Sequence, residues 1–227
     1  MTKILNKIIS RIKGENFILD DRLPLNYIFG IIYFQFISLV WGMIRFHTLR
    51  TVFISPDSII RCSSKIKFGK NFRIGRKCFI DALSVNGLIC GDNVSIGYGT
   101  HIELTGSLKC IGKGITIGNN VGLGTHGHYG SGMGTLSIGD DTIFGNYVSI
   151  HPENHIYSDI SSPIRTQGVS GQGIKIGKNC WIGAKATILD GTVIGNRCII
   201  AAGAVVKGTF PDNVIIGGVP AKIIKKI

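Results

Sequence analysis

The sequence has 227 residues, of which 25 are Lys or Arg and 13 are Asp or Glu, so the chain carries a formal net charge of +12. This length allows one domain with an appendage, and the basic excess favours an anionic partner such as an acidic membrane surface or a phosphorylated ligand. Nucleic acid is not expected as a partner, because the sequence contains no recognised nucleic-acid motif and only 8% of its residues are aromatic.

The first patterned segment is residues 3–13, where apolar side chains share one face of a predicted helix and basic side chains flank that face. The apolar positions are Ile4, Leu5, Ile8, Ile9 and Ile12, and the basic positions are Lys3, Lys7, Arg11 and Lys13. A short basic amphipathic helix is typical of an element that lies on a membrane surface. A helix packed against the protein itself is the alternative.

The next segment, Leu23–Ile44, contains no charged residue and is long enough to cross a membrane. It begins too late for a conventional signal peptide, and Arg22 and Arg45 bound it on both sides, so charge gives no clear orientation. We expect Leu23–Ile44 to form a helix or helical hairpin that lies in or dips into the inner leaflet of the cytoplasmic membrane, within a helical N-terminal segment that covers residues 1–56. A true span and a helix packed within a soluble protein are the alternatives.

From residue 57 to residue 227 the sequence repeats with a period of six. An aliphatic or aromatic residue opens each hexad: Phe68, Ile74, Ile80, Ile96, Ile102, Ile111, Ile117, Leu123, Ile138, Phe144, Ile150, Ile176, Ile182, Ile188, Ile194, Ile200 and Val206. Hexapeptide repeats are the signature of a parallel β-helix, in which stacked coils bury one continuous apolar column. The sequence therefore predicts an all-β solenoid with a helical N-terminal appendage.

The six-residue phase breaks over two long stretches, Thr125–Thr135 and His151–Gly173. An insertion cannot enter the packed column, so we expect both stretches to project as loops from a corner of the solenoid. They contain four of the six histidines: His126, His128, His151 and His155. Functional residues on a rigid scaffold usually lie in such loops.

The six cysteines include no Cys-x-x-Cys pair, which argues against a structural zinc site or a thioredoxin-type motif. Cys78, Cys180 and Cys198 occupy the small position of their hexads, and we expect them to be buried thiols. Free thiols suit a reducing compartment.

Four sequence blocks carry a resemblance to a known family: Asn154-His155 with Tyr157 and Asp159, Trp181-Ile-Gly-Ala184, Ala201-Ala-Gly-Ala-Val-Val206, and Gly218-Val-Pro-Ala-Lys222. Over residues 57–227 the chain resembles the hexapeptide-repeat O-acetyltransferases, which are left-handed β-helix enzymes that use acetyl-CoA. Within that family it looks most similar to the members that modify sugars, including those of capsule and lipopolysaccharide synthesis and the maltose and galactoside acetyltransferases.

The resemblance implies direct acetyl transfer with His155 as the general base. The imidazole pKa lies near neutrality, so this group can take the proton of a sugar hydroxyl as the oxygen attacks the thioester. The backbone N–H of Ala184 would stabilise the oxyanion. His151 is the competing histidine, for which a corner-capping role is expected, and either Glu153 or Asp159 could orient the imidazole.

The resemblance also implies a coenzyme site in the later coils. Ala184 and Ala202 would offer backbone groups to the pantetheine amides. Contacts to the adenosine phosphates are expected from Lys207, Gly208, Lys222 and Lys225. A solvated basic tail is the alternative for these lysines. Contacts to the acceptor are expected from Trp181, His126, His128 and Glu153.

Acetyl-CoA is therefore the expected co-substrate, no metal is expected, and the acceptor is a free, nucleotide-linked or lipid-linked saccharide of a cell-surface polysaccharide. The family completes its active sites between subunits, which implies a homotrimer, here at the cytoplasmic face of the inner membrane. One alternative is a non-catalytic scaffold of a membrane-bound polysaccharide assembly complex. The other is a zinc enzyme like the γ-class carbonic anhydrases, which the loop histidines suggest.

Overall fold

The structure is a computed structural model that describes residues 19–20 and 22–227. The chain divides into two compact units, residues 1–37 and residues 38–227. The amphipathic helix predicted for residues 3–13 lies outside the described residues.

A long helix, α1, runs from Leu25 to Phe46, so its residues fall partly in the first unit and partly in the second. It begins after Pro24, whose carbonyl accepts the N–H groups of Tyr27 and Ile28, and it ends where His47 adopts a left-handed conformation (φ 48°). In the first unit several of its large side chains are exposed, among them Tyr27, Phe29, Tyr33 and Phe36, whereas Ile28 is buried. Within the described residues, α1 is the only helix long and apolar enough to cross a membrane.

The second unit is built from short strands. In chain order they are β1 (Val52–Ile54), β2 (Ile59–Arg61), β3 (Ile66–Phe68), β4 (Phe72–Ile74), β5 (Phe79–Asp81), β6 (Leu88–Cys90), β7 (Ser95–Ile96), β8 (His101–Glu103), β9 (Gly114–Ile117), β10 (Gly122–Leu123), β11 (His128–Gly130), β12 (Thr135–Ile138), β13 (Ile143–Phe144), β14 (Ser149–His151), β15 (Asn154–His155), β16 (Val169–Ser170), β17 (Ile174–Ile176), β18 (Trp181–Ile182), β19 (Thr187–Leu189), β20 (Val193–Ile194), β21 (Ile199–Ile200), β22 (Val205–Val206), β23 (Thr209–Phe210), β24 (Val214–Gly218) and β25 (Ala221–Lys226). Among the described residues, 3₁₀ turns lie at Ser63–Lys65 and Ile164–Thr166.

These strands form three sheets that the chain visits in turn, as a parallel β-helix requires. Sheet A has the order β1-β4-β7-β10-β13-β18-β21-β24-β25, sheet B has the order β2-β5-β8-β11-β14-β19-β22, and sheet C has the order β23-β20-β17-β12-β9-β6-β3. All pairings within them are parallel except that of β25, which folds back antiparallel on β24. The chain turns at three corners per coil, called AB, BC and CA after the sheets they join. The first strand begins at Val52, before the domain boundary predicted at residue 57.

The hexad column is confirmed as the core. The opening residues point inward and stack in register, as when Ile150 pairs with Ile188 and Ile188 with Val206. Cys78, Cys180 and Cys198 are buried beside this column, as predicted. One position was assigned wrongly: Ile111 is 47% exposed, because it lies in an irregular segment at a BC corner and not in a strand.

The loop predicted at Thr125–Thr135 is wrong. Residues 128–130 form strand β11, which pairs with β8 and β14, and Tyr129 is buried in the core between Ile102 and Ile150. The six-residue phase therefore continues from Leu123 to Tyr129, with residues 124–127 at the AB corner before β11 and residues 131–134 at the BC corner after it. The phase was hard to recognise because the column position is a tyrosine, Tyr129, and its neighbours His128 and Gly130 do not follow the usual hexad pattern.

The CA corners show how the coils are held at their edges. An Asn or Asp at successive CA turns takes the left-handed conformation (φ 55° to 58° at Asn71, Asn93, Asn120 and Asp141) that these residues tolerate. Their side chains form a ladder, with amide nitrogens donating to the next coil at 2.8–3.0 Å. The preceding position also supplies an acceptor: the N–H of Lys70 donates to Asp92 and that of Asn119 donates to Asp140. Side chains of the next coil thus satisfy turn amides at this corner.

Candidate active site

The second predicted loop does project from the solenoid. Residues 152–173, here called the arm, leave sheet B after β14 and return to sheet C at β17. Near its base the arm forms a two-stranded antiparallel ribbon of β15 and β16, in which His155 pairs with Val169. The ribbon fixes the backbone of His155 while its side chain stays exposed. The predicted base is therefore held in position and accessible.

Asp190 holds both ends of the arm. Its carboxylate is buried at the BC corner of the next coil and accepts a hydrogen bond from the side-chain nitrogen of Asn154 at 3.1 Å. It also accepts the backbone N–H groups of Gln172 and Gly173 at 2.8–3.1 Å. This residue was not predicted from the sequence, although Leu189-Asp190-Gly191 departs from the usual aliphatic-glycine step of the repeat.

Neither carboxylate considered as an orienter of His155 is bonded to it. Glu153 accepts the backbone N–H of Met133 at 3.0 Å, which ties the start of the arm to the preceding BC corner. Asp159 accepts the N–H and the hydroxyl of Ser161 within the arm, and these bonds lower the pKa of its carboxyl. Both carboxylates shape the arm, and within residues 22–227 neither one accepts a hydrogen bond from the imidazole of His155.

An aromatic column runs across the outer face of sheet B beside the arm. Phe79 stacks on His101, His101 on His128, and His128 on His151, with ring centroids 4.6, 5.2 and 5.4 Å apart and planes within 22° of parallel. Glu103 lies 3.1 Å from the Nε2 atom of His101. Burial, followed by repulsion from the two flanking imidazoles, lowers the pKa of His128. The lowered pKa favours the neutral form of His128, which lies between the other two imidazoles.

His126 lies apart from this column. It occupies an AB corner, where its ring stacks on Tyr147 (5.0 Å between centroids) and meets Tyr98 at a tilted angle (5.2 Å). The structure thus separates two residues that were predicted as acceptor contacts of one loop: His126 packs in a corner, and His128 lies on the face of sheet B.

A small cleft of about 100 Å³ opens between the column and the base of the arm. It is lined by Glu103, His128, His151 and Glu153 together with the backbone of residues 130–132. Two of the predicted acceptor contacts, His128 and Glu153, therefore share one cleft. Trp181 does not join them; it lies on the outer face of sheet A between Ile143 and Ile199 and is 53% exposed.

The AB corners differ from the CA corners in how their turn amides are satisfied. At Thr125 the amide donates to the side chain of Asn146 in the next coil. The next two coils carry Ala184 and Ala202 at the position of Asn146, and alanine has no acceptor to offer. Within the described residues, the backbone N–H groups of Asn146, Ala184 and Ala202 form no hydrogen bond with protein, which leaves one donor in each of three successive coils open to a ligand.

The remaining predicted coenzyme contacts lie at two other places. Lys207 and Gly208 form the BC corner of the last complete coil, between β22 and β23. Lys222 and Lys225 lie on β25 opposite Gly217 and Ile215, and both lysines are exposed. All four residues thus cluster in the C-terminal coils, but on different edges of the solenoid.

Sheet B separates the two halves of the candidate site. Ala184 lies at the AB corner and Asp190, which holds the arm, lies at the BC corner of the same coil; strand β19 runs between them and spans about 10 Å. The aromatic column and the cleft lie on the face between these corners. One chain therefore presents the open amides and the arm on opposite edges of a polar face.

Among the described residues, no three His, Cys, Asp or Glu side chains are arranged to hold a metal ion. In the aromatic column the three imidazole rings stack in nearly parallel planes with centroids 5.2 and 5.4 Å apart, and the Nδ1 atom of His128 is buried. This geometry does not fit the three-histidine zinc centre that was considered as an alternative.

Two comparisons of sequence decide the family. The family model for bacterial transferase hexapeptide (six repeats) matches residues 173–208. The putative lipopolysaccharide biosynthesis O-acetyl transferase WbbJ of Escherichia coli (strain K12) is 33% identical over 174 residues, which are 74% of this chain and 74% of that protein. The chain belongs to the hexapeptide-repeat acyltransferases. Its left-handed β-helix fold and its enzyme class, both predicted from the repeat and the motif blocks, are confirmed.

Other members of this family match over shorter stretches. Galactoside O-acetyltransferase of Escherichia coli (strain K12) is 33% identical over 94 residues, which are 41% of this chain and 45% of that protein. This acyltransferase thus spans about three quarters of WbbJ and less than half of the galactoside enzyme. A mutant of AntD, an N-acyltransferase from Bacillus cereus in complex with dTDP-4-amino-4,6-dideoxyglucose and coenzyme A, has the same fold with a TM-score of 0.52 and 20% identity, covering 77% of this chain and 80% of that chain.

Proposed function

We propose that this protein transfers the acetyl group of acetyl-CoA to a sugar hydroxyl, in the synthesis of a cell-surface polysaccharide. The observation that carries the proposal is the 33% identity to a putative lipopolysaccharide O-acetyl transferase over 174 residues. AntD supports coenzyme A as the carrier, since that protein binds coenzyme A on the same fold.

His155 is the general base in this proposal. It removes the proton of the acceptor hydroxyl as that oxygen attacks the thioester carbon, and the proton then passes to the leaving thiolate. An imidazole suits this task because both of its protonation states are populated near neutral pH. Ribbon pairing with Val169 and the hold of Asp190 on Asn154 fix the backbone on which it is mounted.

The open amide of Ala184 stabilises the negative charge that develops on the carbonyl oxygen. A backbone donor already fixed in a turn costs no reorganisation when the charge appears, which is the basis of oxyanion stabilisation. The unpaired amide of Ala202, one coil further on, receives a carbonyl of the pantetheine chain. Lys207, Lys222 and Lys225 supply positive charge for the phosphates, with Gly208 allowing close approach at the corner.

A homotrimer completes the site. One chain holds the arm and the open amides on opposite edges of sheet B, so the BC corner of one subunit has to meet the AB corner of its neighbour to bring His155 to Ala184. The cleft that contains His128 and Glu153 then lies beside the shared site and contacts the acceptor. Trp181 is exposed on the outer face of sheet A, in the same coil as Ala184, and it contacts the acceptor from there.

The protein works at the cytoplasmic face of the membrane, where acetyl-CoA is available. Support comes from α1, which is 22 residues long and therefore spans about 33 Å, with large apolar side chains exposed along its first half. The predicted basic helix at residues 3–13 would add attraction to anionic lipid.

The test is release of free thiol from acetyl-CoA, measured with the full-length protein and a panel of free, nucleotide-linked and lipid-linked saccharides, with mass spectrometry of the products. The proposal expects acceptor-dependent thiol release and a product heavier by one acetyl group. If no saccharide raises the rate of thiol release above the rate measured with water alone, the protein does not transfer acetyl groups to these acceptors, and the proposal is contradicted.

A further inference from the structure

A groove of about 580 Å³ lies at the first coil of the β-helix, away from the candidate active site. It is formed where the chain leaves α1 and where β3, the edge strand of sheet C, begins. Its lining consists of Phe46, His47, Thr48, Arg50, Ser63, Ser64, Ile66, Lys67 and Phe68. The aromatic floor is rigid, since Phe68 packs edge-on against Phe46 at 4.9 Å and stacks on Phe72 at 5.1 Å.

The polar side chains of this groove are arranged for an anion. Arg50 and Lys67 are exposed and, within the described residues, neither forms an ion pair with a carboxylate. His47 lies beside them, and no lining residue is acidic. The guanidinium of Arg45 adds a further positive charge at the wall, where it donates to the hydroxyl of Ser63 at 2.9 Å. An anion entering the groove would meet only cations and neutral groups.

Two hydroxyl groups in the wall are left as donors. The Ser63 hydroxyl accepts from Arg45, and the Thr48 hydroxyl accepts the backbone N–H of Arg50 at 3.1 Å. A hydroxyl whose oxygen accepts a protein N–H keeps its own hydrogen for another partner. Phosphate oxygens accept charge-assisted hydrogen bonds from guanidinium and ammonium groups and ordinary ones from hydroxyls, so this set of donors matches a phosphate ester.

Apolar side chains beside the groove indicate where that phosphate comes from. Leu49, between two lining residues, is 92% exposed, and Trp41 and Ile44 of the last turns of α1 are exposed as well. Exposed apolar side chains interleaved with cations are characteristic of a surface that meets the boundary between lipid headgroups and acyl chains. A binding site for a soluble phosphate does not require exposed apolar side chains around it.

We propose that this groove binds the phosphate of an anionic membrane lipid, with Arg50 and Lys67 as its principal contacts and Leu49 inserted beside the headgroup. The proposal rests on the membrane location given under the proposed function and adds a specific headgroup site to it. Lipid binding there would set the first coil against the membrane and leave the later coils, with the arm, free for substrate.

The test is co-sedimentation of the full-length protein with vesicles of phosphatidylcholine alone or of phosphatidylcholine with about 30 mol% phosphatidylglycerol. We expect tighter binding to the anionic vesicles, and we expect the double variant Arg50→Gln with Lys67→Gln to lose about 30-fold of that affinity, since each cation near an anionic surface contributes about 1 kcal/mol. A matched variant, Lys109→Gln with Lys113→Gln, removes the same charge from an exposed segment at a BC corner and should bind like the wild type. Basal thiol release from acetyl-CoA should be unchanged in both variants.

Three results would overturn the proposal. Equal loss in the two double variants would show that net charge alone attracts the protein to the vesicles. Displacement from anionic vesicles by inorganic phosphate, but not by chloride of the same ionic strength, would identify a soluble phosphate as the ligand. If the wild type and the double variant Arg50→Gln with Lys67→Gln bind both vesicle types equally well, the groove is not a headgroup site, although the protein still binds membranes. Absence of binding to any vesicle would instead contradict the membrane location itself, and acceptor-dependent thiol release would remain a separate measurement.

Discussion

Asn154 donates its side-chain N–H to the buried carboxylate of Asp190 at 3.1 Å, and through this bond the residue next to His155 is fixed to the body of the β-helix. The same carboxylate accepts the amides of Gln172 and Gly173, so one side chain closes the base of the arm from both sides. A group that must act as a base in a shared active site needs this support, because a small displacement of a reacting group lowers the rate strongly.

We predict that Asp190→Asn lowers turnover about 10- to 100-fold without changing the affinity for acetyl-CoA, because the arm loses its hold while the open amides remain. The asparagine keeps one acceptor oxygen but places an NH₂ group against backbone donors, so stability should fall by about 1–3 kcal/mol. Steady-state kinetics below the unfolding temperature of the variant separates the two effects. Asp212→Asn, which alters a carboxylate that accepts the amide of Asn196 at a CA corner, is the control and should keep full turnover.

His128 should make the stability of the protein depend on pH. Burial and the neighbouring His101 and His151 lower its pKa in the folded state, while Glu103 opposes them weakly. The unfolded chain therefore binds more protons than the folded chain as pH falls below about 6.5, and stability is lost in that direction. Thermal unfolding at about pH 7.5 and about pH 5.5 should show a smaller pH-dependent decrease for His128→Gln than for the wild type. His47→Gln, at an exposed histidine, should keep the wild-type decrease; an identical decrease in all three proteins would contradict the interpretation.

Lys222→Ala should weaken binding of acetyl-CoA about tenfold and leave the turnover at saturation close to that of the wild type, because the lysine is assigned to the coenzyme phosphates and not to the reacting groups. Lys226→Ala removes an equally exposed lysine from the same strand and serves as the control. Direct titration of the coenzyme by calorimetry gives the affinities. Equal weakening by both substitutions would indicate general attraction by the basic C-terminal strand.

Mixed oligomers test whether the site is shared. His155→Ala removes the base at the arm, and Ala184→Asp places a carboxylate at the open amide on the opposite edge of sheet B. If neighbouring subunits supply these two parts, co-refolded mixtures of the two inactive variants should regain thiol-release activity that neither variant has alone. Mixtures that form oligomers but stay inactive would place both parts of the site in one chain.

Much of the fold could be predicted from the sequence, because a strict six-residue period is the signature of a parallel β-helix. Within such a run, each inward-facing residue lies six positions after the previous one. The errors came where the period was carried by unusual residues. Tyr129 continues the column as an aromatic residue in a glycine-rich stretch, and Ile111 keeps the spacing but lies in an irregular corner segment. At Tyr129 the spacing predicted a column position and the residue type did not; at Ile111 the spacing and the aliphatic residue type both predicted one, but the irregular corner segment leaves it exposed.

The candidate site was less accessible to sequence reasoning, because its parts come from different coils. The exposed position of His155 and the open amides of Ala184 and Ala202 agree with the motif blocks that suggested them. The aromatic column could not be predicted, since His101, His128 and His151 meet only through the register of strands from different coils. Asp190 was overlooked because a lone acidic residue at a turn is usually exposed.

The most direct test of the proposed mechanism compares three full-length proteins, the wild type, His155→Ala and His151→Ala, in acceptor-dependent thiol release from acetyl-CoA, with coenzyme affinity measured in parallel. We predict that His155→Ala loses about 10²–10⁴-fold in turnover, the usual effect of removing a general base, and retains its affinity for acetyl-CoA. His151→Ala, which removes the last ring of the aromatic column and part of the cleft lining, should be much milder. An inactive His151→Ala beside a nearly normal His155→Ala would show that the base is the histidine on sheet B, and normal turnover in both variants would contradict direct transfer by a histidine base.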